Sequence, residues 1–105
     1  MVEFSGDGYR AIIPHPLPSD LVHDGNADIQ VTLDNGATYS GTLYVPENLV
    51  LLMDRFRASG ECANGSYLWD PWMVIIRDFR IETLRAAIED LIQSRDIERA
   101  FTRAT

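Results

Sequence analysis

The chain contains no lysine, a single cysteine and no apolar run approaching the length of a bilayer span. Each absence excludes something. Without lysine, all nine basic side chains are arginines, and against sixteen acids they leave a net charge of −7. Nucleic acid is a poor partner for such a surface, because phosphates need a concentrated basic face. An anionic membrane is disfavoured for the same reason. Cys62 has no second cysteine to pair with, so an internal disulfide is excluded. A membrane-spanning helix needs roughly 20 apolar residues, and Met1-Val2-Glu3-Phe4 has neither the basic start nor the apolar stretch of a signal peptide. Together these features predict a cytoplasmic protein.

What is present is globular composition, 46% hydrophobic and 24% charged. A length of 105 residues predicts one domain, 1–105. A chain of this size buries roughly 65% of its unfolded surface, enough for one core without metal or disulfide staples. The charge is distributed unevenly. Between Met1 and Asp54 there are eight acids and one base, Arg10, whereas Arg55 to Thr105 holds eight of each. The whole net charge therefore belongs to the N-terminal half, which would attract and steer a basic protein partner.

Tyr9 to Ile13 is a short β-prone run ending at Pro14. Pro14-His15-Pro16-Leu17-Pro18 is too proline-rich for a helix interior or a central strand and predicts a stiff extended connection. Beyond it, Ile29, Val31 and Leu33 alternate with Asp28, Gln30 and Thr32 as in a half-buried strand. Asp34-Asn35-Gly36 supplies a hairpin turn, and the return strand runs from Ala37 to Tyr44 with Ala37, Tyr39, Gly41 and Leu43 on one face.

Pro46 suits the first turn of a helix and Glu47 complements its dipole. Leu49, Leu52, Met53 and Phe56 recur at the spacing of a core-facing stripe, and Gly60 closes the helix. Glu61 to Ser66 reads as loop. Tyr67-Leu68-Trp69 and Trp72 to Ile76 read as β structure interrupted at Asp70-Pro71, pairable as a second hairpin. A second amphipathic helix carries Ile81, Leu84, Ile88, Leu91 and Ile92, and Ile97 and Phe101 either extend it or form a separate short helix. The predicted fold class is α+β: a small antiparallel sheet of three to five strands with two helices packed on one face, in the order β-β-β-α-β(-β)-α.

Chemistry-bearing clusters are few. His15 and His23, with Asp20, Asp24 and Asp28 nearby, are metal-ligand types, but their spacing matches no compact ligand pattern and no cofactor is expected. Glu61 beside Cys62 offers a base next to a thiol. A reactive thiolate needs a histidine or cationic setting that sequence does not reveal, and a small half-buried thiol is the simpler reading. Gly6 and Gly8 form a lone Gly-x-Gly without the strand and helix of a nucleotide site. The most informative segment is Tyr67-Leu68-Trp69-Asp70-Pro71-Trp72, which holds both tryptophans of the chain. Such residues either complete a core or serve as contact anchors.

Thr32-Leu33-Asp34-Asn35-Gly36, Pro46-Glu47-Asn48-Leu49, the run from Gly60 to Trp69 and Ile88-Glu89-Asp90-Leu91-Ile92 together resemble a small family of uncharacterised bacterial proteins. The resemblance covers Val31 to Ile92 and implies no catalytic residues. In size, charge and class the chain is also similar to the immunity proteins that neutralise toxins. Three functions stay open. The first is an acidic protein-binding module, immunity-type or regulatory, contacting a basic partner through Asp20, Asp24, Asp28, Tyr67, Trp69 and Trp72. The second is a small-molecule-binding domain or enzyme with a pocket near Glu61 and Cys62. The third is a homo-oligomer subunit.

Overall fold

Alternation of large apolar and polar side chains organises a mixed sheet whose one face carries the core. The computed structural model describes residues 1–14 and 26–104. The strands β1 (Val2–Gly6), β2 (Tyr9–Ile13), β3 (Ala27–Leu33) and β4 (Thr38–Tyr44) form a continuous antiparallel meander. The helix α1 (Pro46–Ser59) and the short turn α2 (Glu61–Gly65) follow, then β5 (Met73–Ile75), α3 (Ile81–Gln93), α4 (Ile97–Ala100) and β6 (Thr102–Arg103). β5 runs parallel to β4 along its C-terminal half, and β6 pairs antiparallel with the same strand at Tyr39 and Ser40. The α+β class and the grouping of strands ahead of the last helices are as the sequence predicts.

The predicted hairpin lies in the predicted register face. Ile29 and Val31 of β3, and Ala37, Tyr39 and Leu43 around β4, are buried, whereas Asp28 and Gln30 are exposed. Asn35 closes the turn, its side-chain Oδ1 accepting the Ala37 N–H at 3.0 Å. β1 was not anticipated. Its signal is the alternation Glu3, Phe4, Ser5, in which only Phe4 is buried, followed by the Asp7-Gly8 turn.

Onto the apolar face pack Leu84 and Ile88 of α3, Ile97 of α4 and Phe101, all fully or almost fully buried against Ile13, Ile29 and Leu43. Side chains buried to this degree stabilise the fold by roughly 1.5–3 kcal/mol each. Asp78 braces the approach to α3: its Oδ1 accepts the Arg80 N–H at 3.0 Å and the Thr83 hydroxyl at 2.6 Å. These bonds, the Thr83 hydroxyl first, hold the Asp78 carboxyl below its usual range.

The placement of α1 departs from the expectation that both helices share the sheet face. Pro46 begins it and Gly60 ends it as predicted, the Gly60 N–H donating to Phe56 O at 2.8 Å. Its stripe, however, contributes nothing to the core cluster. Leu49, Leu52, Met53 and Phe56 are only half-buried, Val50 and Leu51 are exposed, and the element α1 packs against is α2. The Cα radius of gyration is 14.4 Å, against about 13 Å for a compact domain of similar length. α2 itself is left-handed, with Cys62, Ala63 and Asn64 at φ between 49° and 60°, a conformation that costs L-residues roughly 1–2 kcal/mol each.

The second predicted hairpin does not form. Tyr67 to Asp70 is irregular, and only Met73–Ile75 enters the sheet. Trp72 takes a left-handed backbone conformation, φ 56°, immediately before β5. The chain therefore turns at Pro71-Trp72 and enters parallel to β4 instead of folding back on itself.

Candidate functional site

Strand register assembles a small polar site at one end of the open face of the sheet. Asp28 on β3 lies opposite Thr42 on β4, and Thr42 lies opposite Met73 on β5. Trp72 precedes Met73, and its carbonyl accepts the Thr42 N–H at 3.1 Å. These pairings bring Asp28 and Trp72, distant in sequence, to the same place. The Thr42 hydroxyl donates to Asp28 Oδ1 at 3.0 Å. Next along β4, the Tyr44 hydroxyl donates to Asp70 Oδ2 at 2.6 Å, pinning the turn that displays Trp72. Burial, then the Asp70 hydrogen bond and charge, with Asp28 contributing, push the Tyr44 phenol far above its ordinary range.

Between these groups is an open cleft of about 570 Å³. Its floor is the polar face of β3 and β4, with Asp28, Gln30, Ser40 and Thr42. Pro71 and Trp72 stand on one side, and Ile12 and Pro14 of the β2 end on the other. Among the described residues Asp28 is the only ionisable side chain in the lining.

The remaining expected residues separate into groups. Tyr67, Trp69 and Trp72 are surface residues, 51%, 68% and 46% exposed, so none of the three completes the core. Trp72 lines the cleft, whereas Tyr67 and Trp69 do not. Asp20, Asp24, His15 and His23 lie outside the described residues. Among the described residues, no group of three or more histidine, cysteine or acidic side chains could hold a metal ion. Cys62 is half-buried within the left-handed turn and Glu61 beside it is exposed.

A second polar contact was not anticipated from sequence. The Tyr9 hydroxyl donates to Glu89 Oε2 at 2.7 Å, tying β2 to α3. Burial first, and then this carboxylate, push the Tyr9 phenol up to about 12. Asp7, Ile92 and Gln93 complete a cleft of about 280 Å³ around the pair. A tyrosine locked to a carboxylate in this way serves to join two elements.

No protein-family model, curated protein or solved structure matches the chain. Among the described residues no helix is long and apolar enough to cross a membrane.

Proposed function

We propose that this chain is a protein-binding module that engages a basic partner through the Tyr67–Trp72 segment and the acidic ground beside it. The exposure of both tryptophans carries this reading. Trp69 and Trp72 leave 68% and 46% of their surfaces in solvent, within a six-residue span that also exposes Tyr67. Large rigid side chains with a polar edge are the commonest anchors of protein interfaces, because they bury much area for little lost rotamer freedom. Trp72 is held outward in a backbone conformation unfavourable for a bulky residue. Strain of this kind persists where the surrounding structure imposes it and clusters at binding sites. Here the Tyr44–Asp70 hydrogen bond and the Thr42–Trp72 backbone bond supply the restraint.

The net charge of −7 selects the sign of the partner. Asp28 and Asp70 put part of that charge next to the exposed indole of Trp72. A regulatory or immunity-type role suits such a surface, since occupying a basic site on another protein can itself be the function. The test is affinity capture from lysate of the native host, comparing the wild-type chain with the Trp69→Ala/Trp72→Ala variant at low and high salt. A basic protein retained by wild type at low salt, and lost with the variant, is the expected result. Identical retention by both baits would remove the aromatic segment from the mechanism and with it this reading.

A further inference from the structure

We infer that the cleft beside Trp72 is a receptor for a guanidinium group, supplied by an arginine side chain of the bound partner. This rests on the protein-binding reading above and names the chemistry that the partner presents.

Three features of the cleft converge on that group. The first is charge. Among the described residues Asp28 is the one ionisable side chain in the lining, and it places a carboxylate beside Trp72. Asp70, one turn away and bonded to Tyr44, adds a second negative charge nearby. Burial is the main reason that the Tyr44 phenol is raised, and the Asp70 and then the Asp28 carboxylates add to it. The second is the floor. Gln30, Ser40 and Thr42 line it with side-chain oxygens that accept hydrogen bonds. A neutral apolar ligand would displace water from these groups without offering a hydrogen bond in return and lose the corresponding free energy.

The third feature is the wall. Trp72 presents a flat indole at the cleft edge, and guanidinium both stacks on aromatic faces and directs a planar fork of N–H donors at carboxylates. A compact ammonium would satisfy the carboxylate but use the indole less fully. The apolar side chains Ile12, Pro14 and Pro71 at the margins match the methylene stem that an arginine carries. The volume of about 570 Å³ leaves room for flanking backbone, and it falls within the roughly 300–1,000 Å³ typical of ligand sites.

The experiment is NMR titration of the two indole N–H resonances, assigned with the Trp69→Phe variant. The probes are acetyl-arginine-amide, its neutral isostere acetyl-citrulline-amide, and a pentapeptide with arginine between glycines. Saturable movement of the Trp72 resonance with the arginine compounds, but not with citrulline, is the expected outcome. Asp28→Asn should weaken that binding roughly tenfold, the loss of one charge-assisted interaction. Tighter binding of the pentapeptide than of the single residue assigns the group to a protein partner. Equal binding assigns the same site to small guanidinium compounds. A Trp72 resonance that responds equally to citrulline, or to neither compound, overturns the inference. In that event, continued capture of a partner through Trp69 would leave the protein-binding reading standing. Arginine binding with no tryptophan-dependent capture would do the reverse.

Discussion

Gly41 lies against the ring of Phe101 so closely that a Cβ at position 41 would overlap the ring carbons. Phe101 is fully buried and precedes β6, so this contact seats the C-terminal strand on β4. Gly41→Ala should therefore displace a core aromatic, destabilising the fold by about 1–3 kcal/mol through overpacking. Phe101→Ala should cost about 3–5 kcal/mol by leaving a cavity. Together the two changes should cost less than the sum of their separate effects, because the second removes the ring with which the first collides. Urea unfolding of the three variants measures all these quantities. Full additivity would mean that the ring and the strand do not share this contact.

Gly65 makes a different close approach. It has φ +79°, and its Cβ would collide with the backbone carbonyl of Met53 in α1. A helix carbonyl cannot swing aside as a side chain can. Gly65→Ala should release the left-handed turn from α1 at a cost of about 1–3 kcal/mol. Among the described residues the hydrophobic cluster includes no α1 side chain, and Asn48 is the one α1 residue that is fully buried, so the damage should stay largely local. Hydrogen exchange should quicken in α1 while the amides of β2, β3 and β4 remain protected. Uniform acceleration across the sheet would show that α1 and the core unfold as one unit.

The Tyr9–Glu89 contact should make the fold less stable at alkaline pH. The Tyr9 phenol is raised to about 12 from 10.0, so the native state keeps its proton where the unfolded chain has lost one. The unfolded state then binds fewer protons, and stability falls as pH rises. The contribution is intact below pH 10 and is lost progressively towards about pH 12. Tyr44 acts in the same direction, its phenol being raised further by burial and Asp70. Denaturation midpoints across this window should fall for wild type and fall less steeply for Tyr9→Phe. The same slope in both would assign the alkaline loss to other groups.

These relationships differ in how far the sequence announces them. The β3–β4 hairpin was legible because Ile29 and Val31 alternate with polar residues on either side of a turn that only a few residues can make. The stripe of α3 was legible for the analogous reason, and Leu84 and Ile88 occupy the core as its period requires. The stripe of α1 was equally visible, but periodicity states only that a face seeks cover and not which surface provides it. The Tyr67–Ile76 segment misled because its composition suits a strand, whereas the left-handed turn at Trp72 aims the chain along β4. That same turn builds the cleft. Asp28 and Trp72 could each be singled out as candidate contacts from sequence. Their juxtaposition depends on a three-strand register that no local pattern encodes.

The electrostatic character of the cleft can be read without any ligand. In a Trp69→Phe background the only indole is Trp72, which is 46% exposed and beside Asp28 and Asp70. A small ionic quencher must approach within contact distance, so its local concentration follows the sign of the surrounding charge. Caesium should quench the Trp72 emission more efficiently than iodide at low salt. Added salt should narrow the gap, because exposed charges are screened within about 10 Å at 0.1 M ionic strength. Asp28→Asn should raise iodide quenching while leaving the neutral quencher acrylamide unaffected. In the reciprocal Trp72→Phe background, where Trp69 alone reports and lies outside the cleft lining, Asp28→Asn should have little effect. Equal sensitivity of both indoles to Asp28 would mean that the negative field belongs to the whole surface and not to this cleft.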